Sequence, residues 1–357
     1  MTTSRSTPLI EKRAEEGATP RTLVVAELSA NHRHDLGLAK ATLEAFAEAG
    51  ADAIKLQTYR PESLTLDLAD GYFRPLENGP WQGWRPHDLY GEGALPYDWH
   101  EPLFEHARAL GLMPFSTPFD LEGVELLEAL ACPMYKIASL EINHVPLLEA
   151  VAATAKPVVI STGAASLGDI AEALEVLGRH RGDITILKCT TAYPTPPSEV
   201  NLRAMRTLAS VFGTPVGLSD HTLGHAVAVA AVALGASMIE KHVLLDRSAG
   251  GIDAAFSMEP TEFRAMVEAV RTTEEALGAE AYWMSPATRA ARERARSIFV
   301  AEPIQAGERF TTKNVRVVRP AAGMHPRFYG RVLAASANVD LTPGTPLAWH
   351  HVRESEP

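Results

Sequence analysis

Eight short apolar, β-branched runs recur between longer amphipathic stretches, and this alternation limits the fold more than any other feature of the chain. The runs are LVVAEL (23–28), AIKLQ (53–57), LMPFS (112–116), MYKIA (134–138), PVVIS (157–161), ITILKC (184–189), PVGLS (215–219) and SMIEK (237–241). Nearly continuous hydrophobic runs of this length suit strands buried on both faces. The stretches between them carry helical spacing. In LAKATLEAFAEAGA (38–51) apolar residues recur at three and four, and Gly50 ends the pattern. Asp120 is placed to cap a helix over 120–130. AVAVAAVALGA (226–236) is apolar on nearly every side and predicts a well-buried helix. Eight β-then-α units within residues 21–284 predict an α/β fold, a (β/α)₈ TIM barrel. An open doubly wound sheet is the alternative, but no G-x-G-x-x-G follows the first run.

The 357 residues suit one large domain plus a small one. Residues 1–20 lack an apolar h-region and read as a mobile tail rather than a signal peptide. Residues 285–297, SPATRAARERARS, are basic and read as a linker. Beyond them, residues 298–357 lose the helical period. They hold short β-like pieces, a turn at Ala306-Gly307 and a weaker echo at Pro343-Gly344, which predicts a small pseudo-symmetric β-rich domain. A domain of that size is marginal alone and should dock on something. One connection is unusual. Residues 58–97 form a long excursion rich in aromatic residues, among them Tyr72, Trp81, Trp84 and Tyr90. It leaves the barrel on the face where active sites lie, so a substrate-covering role stands beside a packed surface loop.

A net charge of −11 argues against nucleic acid or an anionic membrane as a partner. No run reaches the roughly 18 apolar residues of a membrane span, and a cytoplasmic setting is expected. Cys132 and Cys189 cannot form a disulfide framework and read as small buried hydrophobes.

In a barrel the carboxyl ends of the strands face the active site. All eight ends here are polar: Glu27, Asn31 and His32; Lys55 and Gln57; Ser116 and Thr117; Lys136, Ser139 and Glu141; Ser161 and Thr162; Lys188, Thr190, Thr191 and Tyr193; Ser219, Asp220 and His221; Glu240, Lys241 and His242. His221 and His242 leave adjacent strands on the same face, so both imidazoles can reach one cation such as Zn, Mn, Fe or Co. No third Cys or His ligand is evident, which leaves positions for water and substrate and points to catalysis. Ser139, Ser161, Ser219 and Thr117 can donate to phosphate oxygens, with Lys55 as the compact charge. No P-loop is present, so a nucleoside triphosphate is not indicated. A Schiff-base aldolase with Lys188 or Lys136 as nucleophile remains open, as does a sugar-binding protein that uses its β-rich tail.

The motifs AELSANH, GADAIKLQTY, STPFD, YKIASLE, STG, CTTAYPT, GLSDHT and IEKH resemble the sialic acid synthase family in content and order over residues 22–260. The segment from 297 resembles that family's antifreeze-like (SAF) domain. AELSANH, KLQTY, LKCT and RPAAGMHPRFYG are most similar to the pseudaminate-forming branch, and less so to the N-acetylneuraminate and legionaminate branches. The resemblance implies condensation of phosphoenolpyruvate with 2,4-diacetamido-2,4,6-trideoxy-L-altrose, or a related N-acetylated amino-sugar aldehyde, to a nine-carbon 2-keto acid and phosphate. It implies a divalent cation, Mn, Mg or Co, held by His221 and His242. It assigns Lys55, Thr117, Ser139, Ser161 and Ser219 to phosphoenolpyruvate, and Glu27, Gln57, Tyr193 and Asp253 to the sugar side. Glu27 and His242 join Glu141 as catalytic candidates, and Glu141 matches the carboxylate that handles water. Arg319, in VVRP, matches an arginine that the SAF domain inserts into a partner's barrel, implying a homodimer with swapped C-terminal domains. Thr191 stands where neuraminate synthases usually carry Asn, which sets it apart from the phosphoenolpyruvate contacts.

Overall fold

A computed structural model describes residues 21–178, 183–279 and 281–354. The predicted tail over 1–20 lies outside them. The chain divides into two compact units, one ending at Gly278 and one beginning at Ala279.

In the first unit each apolar run becomes a strand: β1 (Leu23–Glu27), β2 (Ala53–Thr58), β3 (Met113–Pro118), β4 (Tyr135–Ile137), β5 (Val158–Ser161), β6 (Ile184–Lys188), β7 (Val216–Asp220) and β8 (Met238–His242). They pair in parallel and in chain order. β1 also pairs with β8, which closes the barrel. Helices form the outer layer. Asp35 caps Leu36–Glu48 by accepting from Leu38 N at 3.0 Å, and Gly50 stops that chain segment at φ +94°. Asp120 caps Leu121–Ala129 through Gly123 N at 2.6 Å.

The register places the chemistry. Glu27 pairs with Lys55 on one side and His242 on the other, so β1, β2 and β8 bring three functional side chains to one level. Side chains two apart on a strand share a face. Glu240 and His242 therefore both enter the barrel, while Lys241 between them points out. There its ammonium meets Asp220 Oδ2 at 2.8 Å in a fully buried ion pair.

Two expectations need correction. Ala226–Ala233 is not buried all round: Ala228, Ala231 and Val232 are buried, while Ala226 and Ala233 are exposed. An outer helix has only one face against the sheet, and alanine methyls on the other face cost little in water. The predicted linker at 285–297 contains a helix, Pro286–Arg292, whose N-terminus Ser285 caps through Thr288 N at 3.1 Å. Its Ala and Arg residues favour helix on their own. The 58–97 excursion carries structure of its own. It contains helices at Pro61–Leu64 and Pro86–Gly93, and Trp81 Nε1 donates to Ile252 O at 3.1 Å.

The second unit carries two antiparallel pairs, β9 (Ser297–Val300) with β10 (Val315–Val318) and β11 (Ser336–Ala337) with β12 (Val352–Arg353). Its pseudo-symmetry is explicit in the backbone. Ile304 and Leu341 exchange hydrogen bonds at 3.0 and 2.8 Å; Gly307 N donates to Ala337 O, and Gly344 N to Val300 O. Both glycines have φ +86°, a conformation that favours glycine. Ile298, Phe310, Val315, Val332 and Leu347 fill a small core of its own. Arg319 is exposed on this unit. Among the described residues, no helix is long and apolar enough to cross a membrane.

Candidate active site

The carboxyl ends of the strands enclose a cavity of about 180 Å³. Its base is a buried charge cluster. Lys55 Nζ lies 2.9 Å from Glu27 Oε2 and 3.4 Å from Glu240 Oε1, and Lys136 Nζ lies 3.6 Å from the same Glu240 oxygen. Ser219 Oγ donates to Glu240 Oε1 at 3.1 Å. Burial pushes the Glu27 carboxyl up to about 7 against the pull of Lys55. For Glu240 burial works the same way, but Lys136 and Lys55 outweigh it and hold the group below its ordinary value. Burial lowers Lys136, whereas Glu240 and Glu27 overcome burial at Lys55 and raise it. Thr117 is buried behind this cluster and accepts from Lys55 at 3.3 Å; it and Glu27 back the cavity rather than line it.

A row of hydroxyls forms the adjoining wall. Ser139 Oγ accepts from Gly163 N at 3.0 Å, which leaves its own proton free to donate. Ser161 Oγ and Thr191 Oγ1 are buried and have no hydrogen-bond partner among the described residues. Buried polar groups are normally satisfied, so a bare pair lining one cavity fits an oxygen-rich ligand. Gly163 is required here: a Cβ would collide with Thr191 Oγ1 and Ser139 Oγ. Glu141 lines the same cavity, and burial pushes its carboxyl up to about 7.

The two imidazoles stand with ring centroids 5.2 Å apart. His221 Nδ1 faces Thr190 O at 3.0 Å, so its Nε2 is the free nitrogen. Burial, then the neighbouring His221, holds His242 well below its ordinary value and keeps it neutral. His242 Nδ1 is buried without a hydrogen bond among the described residues, 3.7 Å from Asp253 Oδ2. Among the described residues, no group of three or more His, Cys, Asp or Glu side chains is arranged to hold a metal. Burial lowers His221, but neighbouring Cys189 and the Thr190 carbonyl outweigh it and raise the ring above its ordinary value. Neutral His242 with its orphaned nitrogen, and the Nε2 of His221 once that ring is neutral, still fit a divalent cation whose other positions go to water and substrate.

Cys132 is buried, as expected. Cys189 is more than a packed hydrophobe. Its Sγ lies 4.0 Å from His221 Nδ1 in the cavity wall, and His221 draws the thiol down to about 7 against the effect of burial.

Toward the mouth a second cavity, about 420 Å³, joins Ser29, Gln57, Tyr193, His242 and Asp253 to Leu76, Trp81 and Tyr90 of the excursion. Gln57 Nε2 donates to Glu27 Oε1 and Ser29 Oγ, both at 2.9 Å, and Ser29 Oγ donates to Asp253 Oδ2 at 2.6 Å. The excursion therefore forms one wall of the mouth. Lys188 does not face either cavity, which removes it as a Schiff-base nucleophile in this site.

The model of the NeuB family matches residues 42–282, and the SAF domain matches residues 295–353. The pseudaminic acid synthase of Helicobacter pylori is 44% identical over 334 residues, 93% of this chain and 98% of that protein. The chain belongs to the NeuB family. Another relative, the N,N'-diacetyllegionaminic acid synthase of Campylobacter jejuni, is 38% identical over 324 residues, 89% of this chain and 96% of that protein. Among solved structures, the N-acetylneuraminic acid synthetase of Leptospira borgpetersenii, in complex with citrate, matches with a TM-score of 0.69 and 30% identity. That match covers 76% of this chain and 90% of the other.

This NeuB-family site gathers the sequence candidates on the barrel: Lys55, Ser139, Glu141, Ser161, Ser219 and His221 around the inner cavity, Asp253 at the mouth, and Gln57, Tyr193 and His242 in both. The sequence reading left Glu240 and Ser29 without a role. Glu240 was reachable, because it stands two residues before His242 on a strand and must share its face. Ser29 carried no such signal: it follows the end of β1 at φ +49° and reaches Asp253 only in the folded chain.

Proposed function

We propose that this chain condenses phosphoenolpyruvate with 2,4-diacetamido-2,4,6-trideoxy-L-altrose to pseudaminic acid and phosphate. The choice of sugar rests on the near full-length similarity to the Helicobacter pylori enzyme. The observation that carries the choice of phosphoenolpyruvate is the pair of bare buried hydroxyls, Ser161 and Thr191, beside Lys55 and Lys136. Phosphate and carboxylate oxygens would satisfy both hydroxyls and take the lysines from Glu240. Thr191 thereby returns as a ligand candidate.

The apolar mouth, with Leu76, Trp81, Tyr90, Ile252 and Phe256, suits the methyl groups of a deoxy, diacetylated sugar, while Gln57 and Asp253 supply the hydrogen bonds. His221 and His242 would hold a divalent cation, Mn, Mg or Co, which would polarise the aldehyde oxygen when bound. The chain's own part is placement and proton handling. C3 of phosphoenolpyruvate attacks the aldehyde carbon, whose oxygen takes up a proton to become a hydroxyl; positive charge develops at C2, and water adds there. Glu141, raised to about 7, is suited to take that water's proton near neutral pH. Glu240 and Glu27 stabilise the positive charge from below. Phosphate then leaves by C–O cleavage. Roughly 7–11 kcal/mol of a two-substrate barrier can come from positioning, in keeping with a site rich in binding groups. Phosphoenolpyruvate is a cytoplasmic metabolite, so we place the reaction there.

The test is incubation of the full chain with phosphoenolpyruvate, Mn²⁺ and a panel of amino sugars, read by product mass and phosphate release. Phosphoenolpyruvate carrying ¹⁸O at the C2–O–P bridge should yield ¹⁸O-phosphate. Turnover of N-acetylmannosamine in preference to the diacetamido sugar would move the assignment to a neuraminate synthase. One observation favours a second chemistry: Lys136 lines the cavity with its ammonium destabilised by burial, as a Schiff-base nucleophile requires. Borohydride trapping of an amino-sugar adduct, in the presence of excess EDTA, would support it.

A further inference from the structure

Of the strand-end lysines, the reaction above uses neither Lys241, which is paired with Asp220, nor Lys188. Lys188 ends β6 and points away from the substrate cavities, into a separate cavity of about 610 Å³ lined also by Thr162, Glu199, Asn201, Arg203 and Thr207, and it makes no ion pair with Glu199. It is half-buried, and burial lowers its pKa. Among the described residues no carboxylate pairs with it. Its ammonium instead donates to Cys189 O at 2.5 Å and to Thr190 Oγ1 at 2.8 Å. Removing part of an ammonium's water without an opposing charge is costly, yet both acceptors are neutral and belong to the next two residues.

Those two residues form the wall against which His221 rests. Thr190 O faces His221 Nδ1 at 3.0 Å and also accepts from Thr195 Oγ1 at 3.3 Å, while Thr195 N donates to His221 O at 3.0 Å. A carbonyl oxygen can only accept, so neutral His221 must carry its proton on Nδ1. The tautomer and ring orientation of His221 then depend on where the Thr190 carbonyl stands.

We propose that Lys188 is a positioning residue for His221. It fixes the Cys189–Thr190 turn from the far side of the wall, so that the Thr190 carbonyl takes the Nδ1 proton and Nε2 is presented to the reacting centre. The part of the proposal that concerns a cation rests on His221 being its ligand; the tautomer part does not.

The experiment uses the full chain with ¹⁵N-labelled histidine, free of metal, at pH 8.5. Long-range ¹H–¹⁵N correlation should show His221 of the wild type in the Nδ1–H form alone. Lys188→Met keeps the stem and removes the ammonium; it should give a mixture of both tautomers. Binding of Mn²⁺ alone, by calorimetry, should weaken about tenfold or more, the usual scale for losing the outer partner of a ligating histidine. Lys188→Arg, which restores a donor to the carbonyl, should recover the single tautomer. Thr190→Val removes one acceptor without touching the lysine and serves if Lys188→Met does not fold; it should show the same mixture in weaker form. A Lys188→Met chain with His221 wholly in the Nδ1–H form, or with Mn²⁺ affinity within twofold of wild type, overturns the proposal. If the wild type binds no Mn²⁺, the metal reading fails, and the tautomer comparison still decides the role of Lys188.

Discussion

Glu141 and the two histidines divide the work of the site in a way that separate substitutions can resolve. Below pH 7 a Glu141 carboxyl raised to about 7 is protonated and cannot take a proton from water; above it the carboxylate can. kcat/KM should therefore rise as pH passes through about 7, since this parameter reports the free enzyme. Glu141→Gln keeps the shape and removes the base. It should cost about 10²–10⁴ in kcat with phosphoenolpyruvate binding, by calorimetry, little changed. An effect confined to KM would contradict that role. His221→Ala and His242→Ala act differently. Each side chain lines an existing cavity, so truncation enlarges that space rather than opening a void in the core. We expect each variant to lose Mn²⁺-stimulated activity while its Tm stays within about 4 °C of wild type, the shift that roughly 1 kcal/mol produces. Mn²⁺ stimulation surviving in the double variant would end the metal assignment.

At the scale of elements, the strands were legible because a strand buried on both faces has to be apolar for its whole length. The polar residues in or just after the last positions of each run then mark the mouth of the barrel. The direction of each polar side chain was less so. Lys241, Lys188 and Lys136 all lie at or next to strand ends, yet one goes outward to Asp220, one to a side cavity and one into the site. Period-two alternation sorts them once the strand limits are known to one residue, and sequence fixes those limits only to within a few. The excursion at 58–97 resisted reading for a different reason. Its order comes from long-range contacts, such as Trp81 with Ile252 and with the Tyr193 ring at 5.6 Å, which no local pattern encodes. Those contacts make the excursion testable as part of the sugar site. Burying a large aromatic against ligand contributes about 1.5–3 kcal/mol. Trp81→Ala should thus raise KM for the amino sugar roughly tenfold to a hundredfold and leave KM for phosphoenolpyruvate near wild type. Equal rises in both would show a loop that supports the barrel instead of reading the sugar.

For the whole molecule the open question is what the second unit adds to a barrel that already holds lysines, hydroxyls and two histidines. Its core is small, and a domain of about 60 residues is marginal by itself. Arg319 is exposed on that unit, and a guanidinium suits carboxylate or phosphate geometry in a way that Lys55 cannot. We propose that Arg319 completes the site of a partner chain, in a reciprocal dimer of two-fold symmetry. The complementation test follows from the geometry of exchange. Arg319→Ala and His242→Ala homodimers should each be inactive, the first for want of the guanidinium and the second for want of the imidazole. Unfolded together and refolded in equal amounts, they should give mixed dimers. In each mixed dimer one barrel keeps both histidines and receives an intact arginine, while the other has neither repair. With random pairing, half of the dimers are mixed and one site of two is whole, so about one quarter of all sites should recover. If Arg319 acts within its own chain, mixing restores nothing. If it is only a surface charge, the Arg319→Ala homodimer is active before any mixing. Recovery on mixing, absent from either variant alone and growing with the fraction of mixed dimers, is the expected result.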